Sequence, residues 1–286
     1  MKSFAERFQT LASERSPLCL GLDPSRDLLM EWGLADDADS LRRFCGAVLD
    51  AAGDRVAVAK PQAAFFERLG PAGMAELARV TAAVRERGTL SLIDAKRGDF
   101  TETMKGYAGA MLGADSGFGG DAMTVTAYLG FDALRPVFER AVTTKTAVFV
   151  VVRSSNPEGR ALQDARLPDG RAVADALADD ITAFNAAVGS GIGPLCAVMG
   201  ATIDAAQAAT LARMPCSLFL APGVGAQGAT CEDVGRTFGP AIGRTMPSVS
   251  RAILRQGPSA AALREAIDRW RDAAWRAAEG VAAVGA

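Results

Sequence analysis

Short runs of apolar, β-branched or leucine-rich residues alternate along the chain with longer Ala/Leu/Arg/Glu stretches whose apolar positions recur at helical spacing. Eight runs stand out: Leu18–Leu22, Val56–Ala59, Leu90–Ile93, Ala122–Val125, Ala147–Val152, Leu195–Met199, Leu218–Ala221 and, with the weakest pattern, Pro247–Ser250. Their ends lie roughly 20 to 50 positions apart, room for one strand, one helix and two loops. Repeated βα units predict an α/β fold with a parallel sheet, and eight of them predict closure into a barrel. An open, doubly wound sheet shows the same alternation. Two observations weigh against it: no GxGxxG opens the first βα turn, and polar residues end many runs instead of meeting at one switch point.

A helix is expected before about residue 17, and a second, rich in Ala, Arg and Trp, over 260–278 to cover the barrel, followed by a tail that frays from Gly280. Two features interrupt the repeat: the stretch from Ser154 to Gly170, a loop rich in Pro, Gly and charge, and an Ala-rich helix over 205–212. No low-complexity linker divides the chain, so residues 1–286 read as a single (β/α)8 TIM-barrel domain.

Composition narrows the function. The 31 basic and 33 acidic side chains are interspersed, giving a net charge of −2 and no footprint for nucleic acid or an anionic membrane. A small-molecule partner is therefore expected. No apolar run approaches the ~20 residues of a membrane span, and Lys2, Glu6, Arg7, Glu14 and Arg15 interrupt any leader, so the expected address is cytoplasmic. Five cysteines without CxxC spacing read as buried small hydrophobes, not as metal ligands. The chain has no histidine, which excludes Ser-His-Asp and Cys-His nucleophiles and the HExxH zinc helix. Acid/base chemistry falls to Lys, Asp, Glu, Tyr or Cys.

The third run leads into Asp94-Ala-Lys96-Arg-Gly-Asp99-Phe-Thr-Glu-Thr103. Strand alternation sends Asp94 and Lys96 to the same side, and Gly98 permits a bend from which Asp99 leaves the strand line and Thr101 or Thr103 begins a helix. The second run ends at Lys60 and the first at Asp23. Three neighbouring strands thus bring Asp23, Lys60, Asp94 and Lys96 to one rim, alternating in sign so that each holds its neighbour ionised. Any one of them alone would read as a solvated loop with an incidental ion pair. After the seventh run, Ala221 to Gly228 is a Gly-rich loop whose backbone N–H groups are candidates to cradle an anion, and the eighth run ends in Ser250-Arg251. The loops after strands seven and eight are the usual phosphate site of such barrels, where Arg251 offers a forked grip.

From Asp23 to Arg251 the chain resembles the orotidine 5′-phosphate decarboxylase family, in its longer bacterial branch. The family's Asp-x-Lys-x-x-Asp signature matches Asp94, Lys96 and Asp99, and its Pro-Gly-Val-Gly-Ala-Gln-Gly loop matches Pro222 to Gly228 without a break. The resemblance implies conversion of orotidine 5′-phosphate to UMP in pyrimidine synthesis, with neither cofactor nor metal. It makes Lys60, Asp94, Lys96 and Asp99 the charged catalytic set, Lys96 protonating C6 while Asp94 faces the departing carboxylate and Lys60 and Asp99 hold Lys96 charged and aimed. It also implies a homodimer in which Asp99 and Thr103 reach into the partner's site. Asp23 matches a ribose-binding acid, Ser155 a pyrimidine contact (with Ser154 left open), and Gln227 and Arg251 the phosphate ligands, while Gly225 and Ser250 join the substrate-binding set. Asn156 stands where shorter relatives carry histidine.

Three other readings compete. Magnesium-dependent sugar-phosphate decarboxylases and hexulose-phosphate synthases share the signature but carry an acid where Lys60 stands. A Schiff-base aldolase needs a neutral amine, whereas carboxylates beside Lys96 favour its ammonium form. A non-catalytic nucleotide-phosphate sensor has no use for the four charged residues.

Overall fold

The computed structural model describes the backbone of residues 1–282 and side chains through Glu279. Eight parallel strands, β1 (Cys19–Leu22), β2 (Val58–Pro61), β3 (Leu90–Arg97), β4 (Ala122–Val125), β5 (Ala147–Arg153), β6 (Leu195–Met199), β7 (Phe219–Pro222) and β8 (Thr245–Val249), close in sequence order into a barrel. β8 returns to pair with β1. The main helices are α1 (Phe4–Glu14), α2 (Ala38–Ala52), α3 (Gly70–Glu86), α4 (Thr101–Met111), α5 (Arg135–Thr144), α6 (Val173–Val188), α7 (Cys231–Phe238) and α8 (Ala260–Ala282).

The expected barrel is present, with shifted boundaries. β8 begins at Thr245, ahead of Pro247, and stops before Ser250; proline suggests a strand start, yet here it pairs in mid-strand. β3 runs on through Arg97, four residues beyond the apolar run. The Ala-rich helix over 205–212 is only Ala205–Ala208, tightening into a 3-10 turn over Ala209–Arg213 where Thr210 turns inward to bond Asp175. The loop after β5 contains its own short helix, Arg160–Gln163. α4 does start at Thr101, but Phe100 occupies the cap without a side-chain bond, so neither Thr101 nor Thr103 caps it. α8 continues past Gly280 instead of fraying there, and 283–286 lie outside the described residues.

Alternation along the strands makes two cores. Outward residues such as Leu20, Leu22, Ala59, Ile93, Met123, Val148 and Val150 pack beneath the helices. Inward ones, Cys19, Val58, Leu90, Leu92, Ala122, Phe149, Cys196, Val198, Leu220 and Met246, fill the barrel together with Phe4 and Phe8 of α1. α1 closes the N-terminal end of the strands. Phe4 stands edge-on to Phe149 with centroids 5.9 Å apart, and each fully buried phenyl contributes about 1.5–3 kcal/mol. Asp121 pins the helix by pairing with Arg7 while accepting from the Ser91 amide and hydroxyl, both at 3.0 Å. One step further towards the C-terminal mouth the inward residues become polar: Lys60, Asp94, Thr124 and Ser248, all buried. This layer is the foundation of the site.

Candidate active site

Lys60 follows Val58 on the inner face of β2, and Asp94 follows Leu92 on that of β3, so the barrel itself fixes both. Lys60 is 5% exposed and Asp94 6%. The Lys60 Nζ donates to Asp94 Oδ2 at 2.9 Å and lies 3.9 Å from Asp23 Oδ1, just beyond β1. Asp94 Oδ2 also accepts from Gln62 Nε2 at 3.2 Å, while its Oδ1 accepts from Lys96 Nζ at 2.5 Å and Thr124 Oγ1 at 2.9 Å. Four donors thus converge on one buried carboxylate. Burial by itself would raise its pKa, but Lys60 and Lys96 outweigh that and hold Asp94 well below the usual carboxylate range. Burial likewise pulls the Lys60 ammonium down, and Asp94 and Asp23 more than reverse it, leaving Lys60 above the ordinary lysine value. Burial pushes the Cys19 thiol, on the inner face of β1, up to about 12, which makes it inert.

Lys96 is aimed by an irregularity. The β3–β4 register shifts between Ile93 and Arg97, and Lys96 has φ 46°, a left-handed conformation that costs a lysine of order 1 kcal/mol or more. Its amide donates to Thr124 Oγ1 at 2.9 Å, so one threonine steadies both the bulge and Asp94. Arg97 secures the strand end by pairing with Glu67 and sitting over the Tyr107 ring at 5.3 Å. At Gly98 a β-carbon would come within 2.5 Å of the Thr126 carbonyl oxygen, so glycine is required where the strand turns away.

Lys96 meets Asp94 directly, Lys60 acts on it through Asp94, and Asp99 is turned away, its Oδ1 accepting from the Phe100 amide at 2.7 Å. Thr103 is exposed on α4.

A cavity of about 350 Å³ opens above this array. Asp23, Lys60, Asp94 and Lys96 line one part, Val151, Val198 and Leu220 also face it, and Ser155, Gln227, Ser250 and Arg251 complete its wall. Asp23 Oδ1 and Ser250 Oγ are buried without a hydrogen-bond partner among the described residues. Ser154 and Ser155 both line the cavity, and the Ser154 hydroxyl accepts from Gln163 Nε2 at 2.8 Å. The Gly-rich loop departs from expectation. Its Gly225, Ala226 and Gly228 amides donate to Ala229, Val224 and Gly225 carbonyls inside the loop, so these three are not free to meet an anion, and the Gln227 and Arg251 side chains line the cavity beside them. Gly225 does not line the cavity. With φ +76° it lies where a β-carbon would be 2.9 Å from Ala252 and 3.2 Å from Trp270, so it shapes the loop without facing a ligand.

Gln62 and Thr124 escaped the sequence reading. Each lies two residues beyond an inward position, Lys60 and Ala122, and period two was the available signal. Among the described residues no three His, Cys, Asp or Glu side chains are grouped to hold a metal, and the two carboxylates nearest one another here, Asp23 and Asp94, have the Lys60 ammonium between them.

A family model described as the orotidine 5′-phosphate decarboxylase / HUMPS family matches residues 16–266. The chain belongs to this family. The orotidine 5′-phosphate decarboxylase of Myxococcus xanthus is 50% identical over 267 residues, 93% of each chain. That of Streptomyces coelicolor is 44% identical over 270 residues, 94% of this chain and 96% of its own. In structure, Leishmania donovani OMP decarboxylase gives a TM-score of 0.78 at 30% identity, covering 97% of this chain and 99% of that one. The chain's length and barrel are therefore those of the orotidine 5′-phosphate decarboxylases, and the Lys60–Asp94–Lys96 array occupies the mouth of that shared fold.

Proposed function

We propose that this enzyme converts orotidine 5′-phosphate to UMP and CO2 without metal or organic cofactor, with Lys96 as proton donor. The observation that carries this reading is one buried carboxylate bridging two lysines in a cavity that also bears Gln227 and Arg251. Cleaving the bond from C6 to the carboxylate leaves an electron pair in the plane of the pyrimidine, where the ring gives it little resonance relief. Fixed charge has to stabilise it. The Lys96 ammonium does so, and its proton passes to C6 as CO2 departs, leaving a neutral amine that water reprotonates. Asp94 stands beside the departing carboxylate and repels it until it becomes neutral CO2, while Lys60 keeps Asp94 ionised. Asp23 takes the ribose hydroxyls, Ser155 the pyrimidine, and Gln227 with Arg251 the phosphate, whose binding energy is used far from the reacting carbon.

Ultraviolet absorbance of orotidine 5′-phosphate, followed with chelator-treated protein, tests the whole. Turnover should be unchanged by the chelator; activity that vanished and returned with Mg²⁺ would favour the metal-dependent relatives, against which Lys60 speaks. Arg251→Ala should raise KM for the nucleotide about 10- to 100-fold, the worth of a charge-assisted contact, and leave binding of phosphate-free orotidine unaltered. Isothermal titration with both ligands checks this, and equal losses would remove Arg251 from the phosphate.

The same proposal includes a homodimer. Phe100 (71% exposed), near Asp99 and Thr103 in the segment that leaves β3, and Tyr128 (79%) with Leu129 in the segment that leaves β4, are large apolar side chains left exposed at this end of the barrel. With Asp99 and Thr103 completing the partner's site, inactive Lys96→Ala and Asp99→Ala proteins mixed and allowed to exchange subunits should regain about a quarter of the parental sites. No regain on mixing, with exchange verified by mass spectrometry, would refute the shared site.

A further inference from the structure

The stretch after β5 carries glycine and charge that the site so far leaves unused. Arg153 ends the strand with a guanidinium that is only 4% exposed; it donates to Asp164 Oδ1 at 2.6 Å and to Thr210 Oγ1 at 3.1 Å, and Thr210 passes its own proton to Asp175 at 2.7 Å. The next residue repeats the connection. Gln163 Nε2 donates to the Ser154 hydroxyl at 2.8 Å, and the Ser154 amide donates to Gln163 Oε1 at 3.2 Å. Two consecutive residues leaving β5 are therefore bonded to two consecutive residues at the end of the short helix Arg160–Gln163. Gly159 makes the approach possible. Its backbone, φ −65°, suits any residue, yet a β-carbon there would lie 2.4 Å from Ser154 Oγ and 2.7 Å from Gln163 Nε2. On the far side, Ser155 is packed against two further glycines: β-carbons at Gly200 and Gly223 would lie 2.7 Å from its Cα and 3.3 Å from its Cβ.

We infer that Gln163 is a positioning residue for the pyrimidine end of the cavity, holding Ser154 so that the Ser155 hydroxyl meets the base, with Gly159 supplying the space for this clamp. The inference rests on the proposed role of Ser155. A hydroxyl that serves one ring atom has to be held within about 0.5 Å, and a flexible connection from a strand end does not do that. The Gln163 amide, bonded to both the backbone and the side chain of Ser154, does. The buried Arg153 guanidinium, paired with the half-exposed Asp164, fixes the base of the clamp, so the segment from Ser154 to Asp164 is a brace for the site and not a free loop.

The test compares UMP with ribose 5-phosphate, which shares the phosphate and sugar but lacks the base, by isothermal titration. Gly159→Ala wedges a methyl group into the clamp without removing a polar group; Gln163→Ala removes the clamp at a half-buried position, and thermal melts confirm that both variants fold. Each should weaken UMP about tenfold, the worth of one oriented hydrogen bond, and change ribose 5-phosphate less than about twofold. Gln163→Ala added to Ser155→Ala should cost UMP nothing beyond Ser155→Ala alone, because the effect passes through that hydroxyl. Equal losses for both ligands, no loss for UMP, or additive losses in the double variant would each overturn the inference while leaving the role of Ser155 standing. If Ser155→Ala itself fails to separate the two ligands, the assignment of the pyrimidine end falls, and the inference with it.

Discussion

Lys96→Ala is expected to lower kcat for decarboxylation by about a thousandfold or more while changing KM far less. The reasoning is local. The side chain is 47% exposed and among the described residues its ammonium bonds only Asp94, so its removal leaves that carboxylate still accepting from Lys60, Gln62 and Thr124. No buried charge is abandoned and the barrel should fold unchanged. On the proposed mechanism what is lost is the cation at C6 and the proton it delivers, contributions made only as the bond breaks. Steady-state kinetics with orotidine 5′-phosphate decides it: turnover within tenfold of the parent, about 1.4 kcal/mol of barrier, would remove Lys96 from the donor's role.

Asp94→Asn should damage stability as well as turnover. Lys60 would keep only Asp23 at 3.9 Å as counter-ion for a buried ammonium, and breaking such a pair costs about 3–5 kcal/mol. The pH dependence follows from the directions of the shifts. Asp94 is lowered in the folded state from an ordinary 3.8, so its contribution is present above that value, fades below it, and is gone once the pH passes the folded value. Lys60 is raised from 10.5, so its contribution is present below that value and is lost only as the pH rises through the still higher folded one. The stability gap between parent and Asp94→Asn should therefore be flat from about pH 5 to 10 and narrow below about pH 3.8. Denaturant melts at pH 7, 5 and 3 measure it; a gap that is already closing between pH 7 and 5 would mean that Asp94 is not held ionised as described.

Much of this was legible in the sequence because the barrel repeats one physical demand eight times: an apolar strand followed by an amphipathic helix. The charged ends of the first three runs were visible for the same reason, since Asp23, Lys60 and Asp94 interrupt otherwise apolar stretches. What stayed hidden depends on pairing in three dimensions. β3 looked finished at Ile93 because the residues after it are charged, yet inside a barrel mouth they satisfy one another and the strand continues. Thr124 carries no signal of its own, because a threonine in a strand is ordinary. In the Gly-rich loop, composition shows that backbone amides are accessible but not whether they are already bonded, and here the turns at Gly225 and Gly228 close them on the loop itself. The bond from Gln163 to Ser154 had no signal in the sequence, because the two residues lie nine positions apart across an irregular loop.

α1 gives the barrel a stopper. Phe4, edge-on to Phe149, and Phe8 fill the end where the strands begin, and the cavity above Asp94 opens at the end where the strands finish. On the proposed mechanism carbon dioxide would form beside Asp94 at the foot of this chamber with the nucleotide above it, so a UMP that lingers there would bar the next substrate from entering.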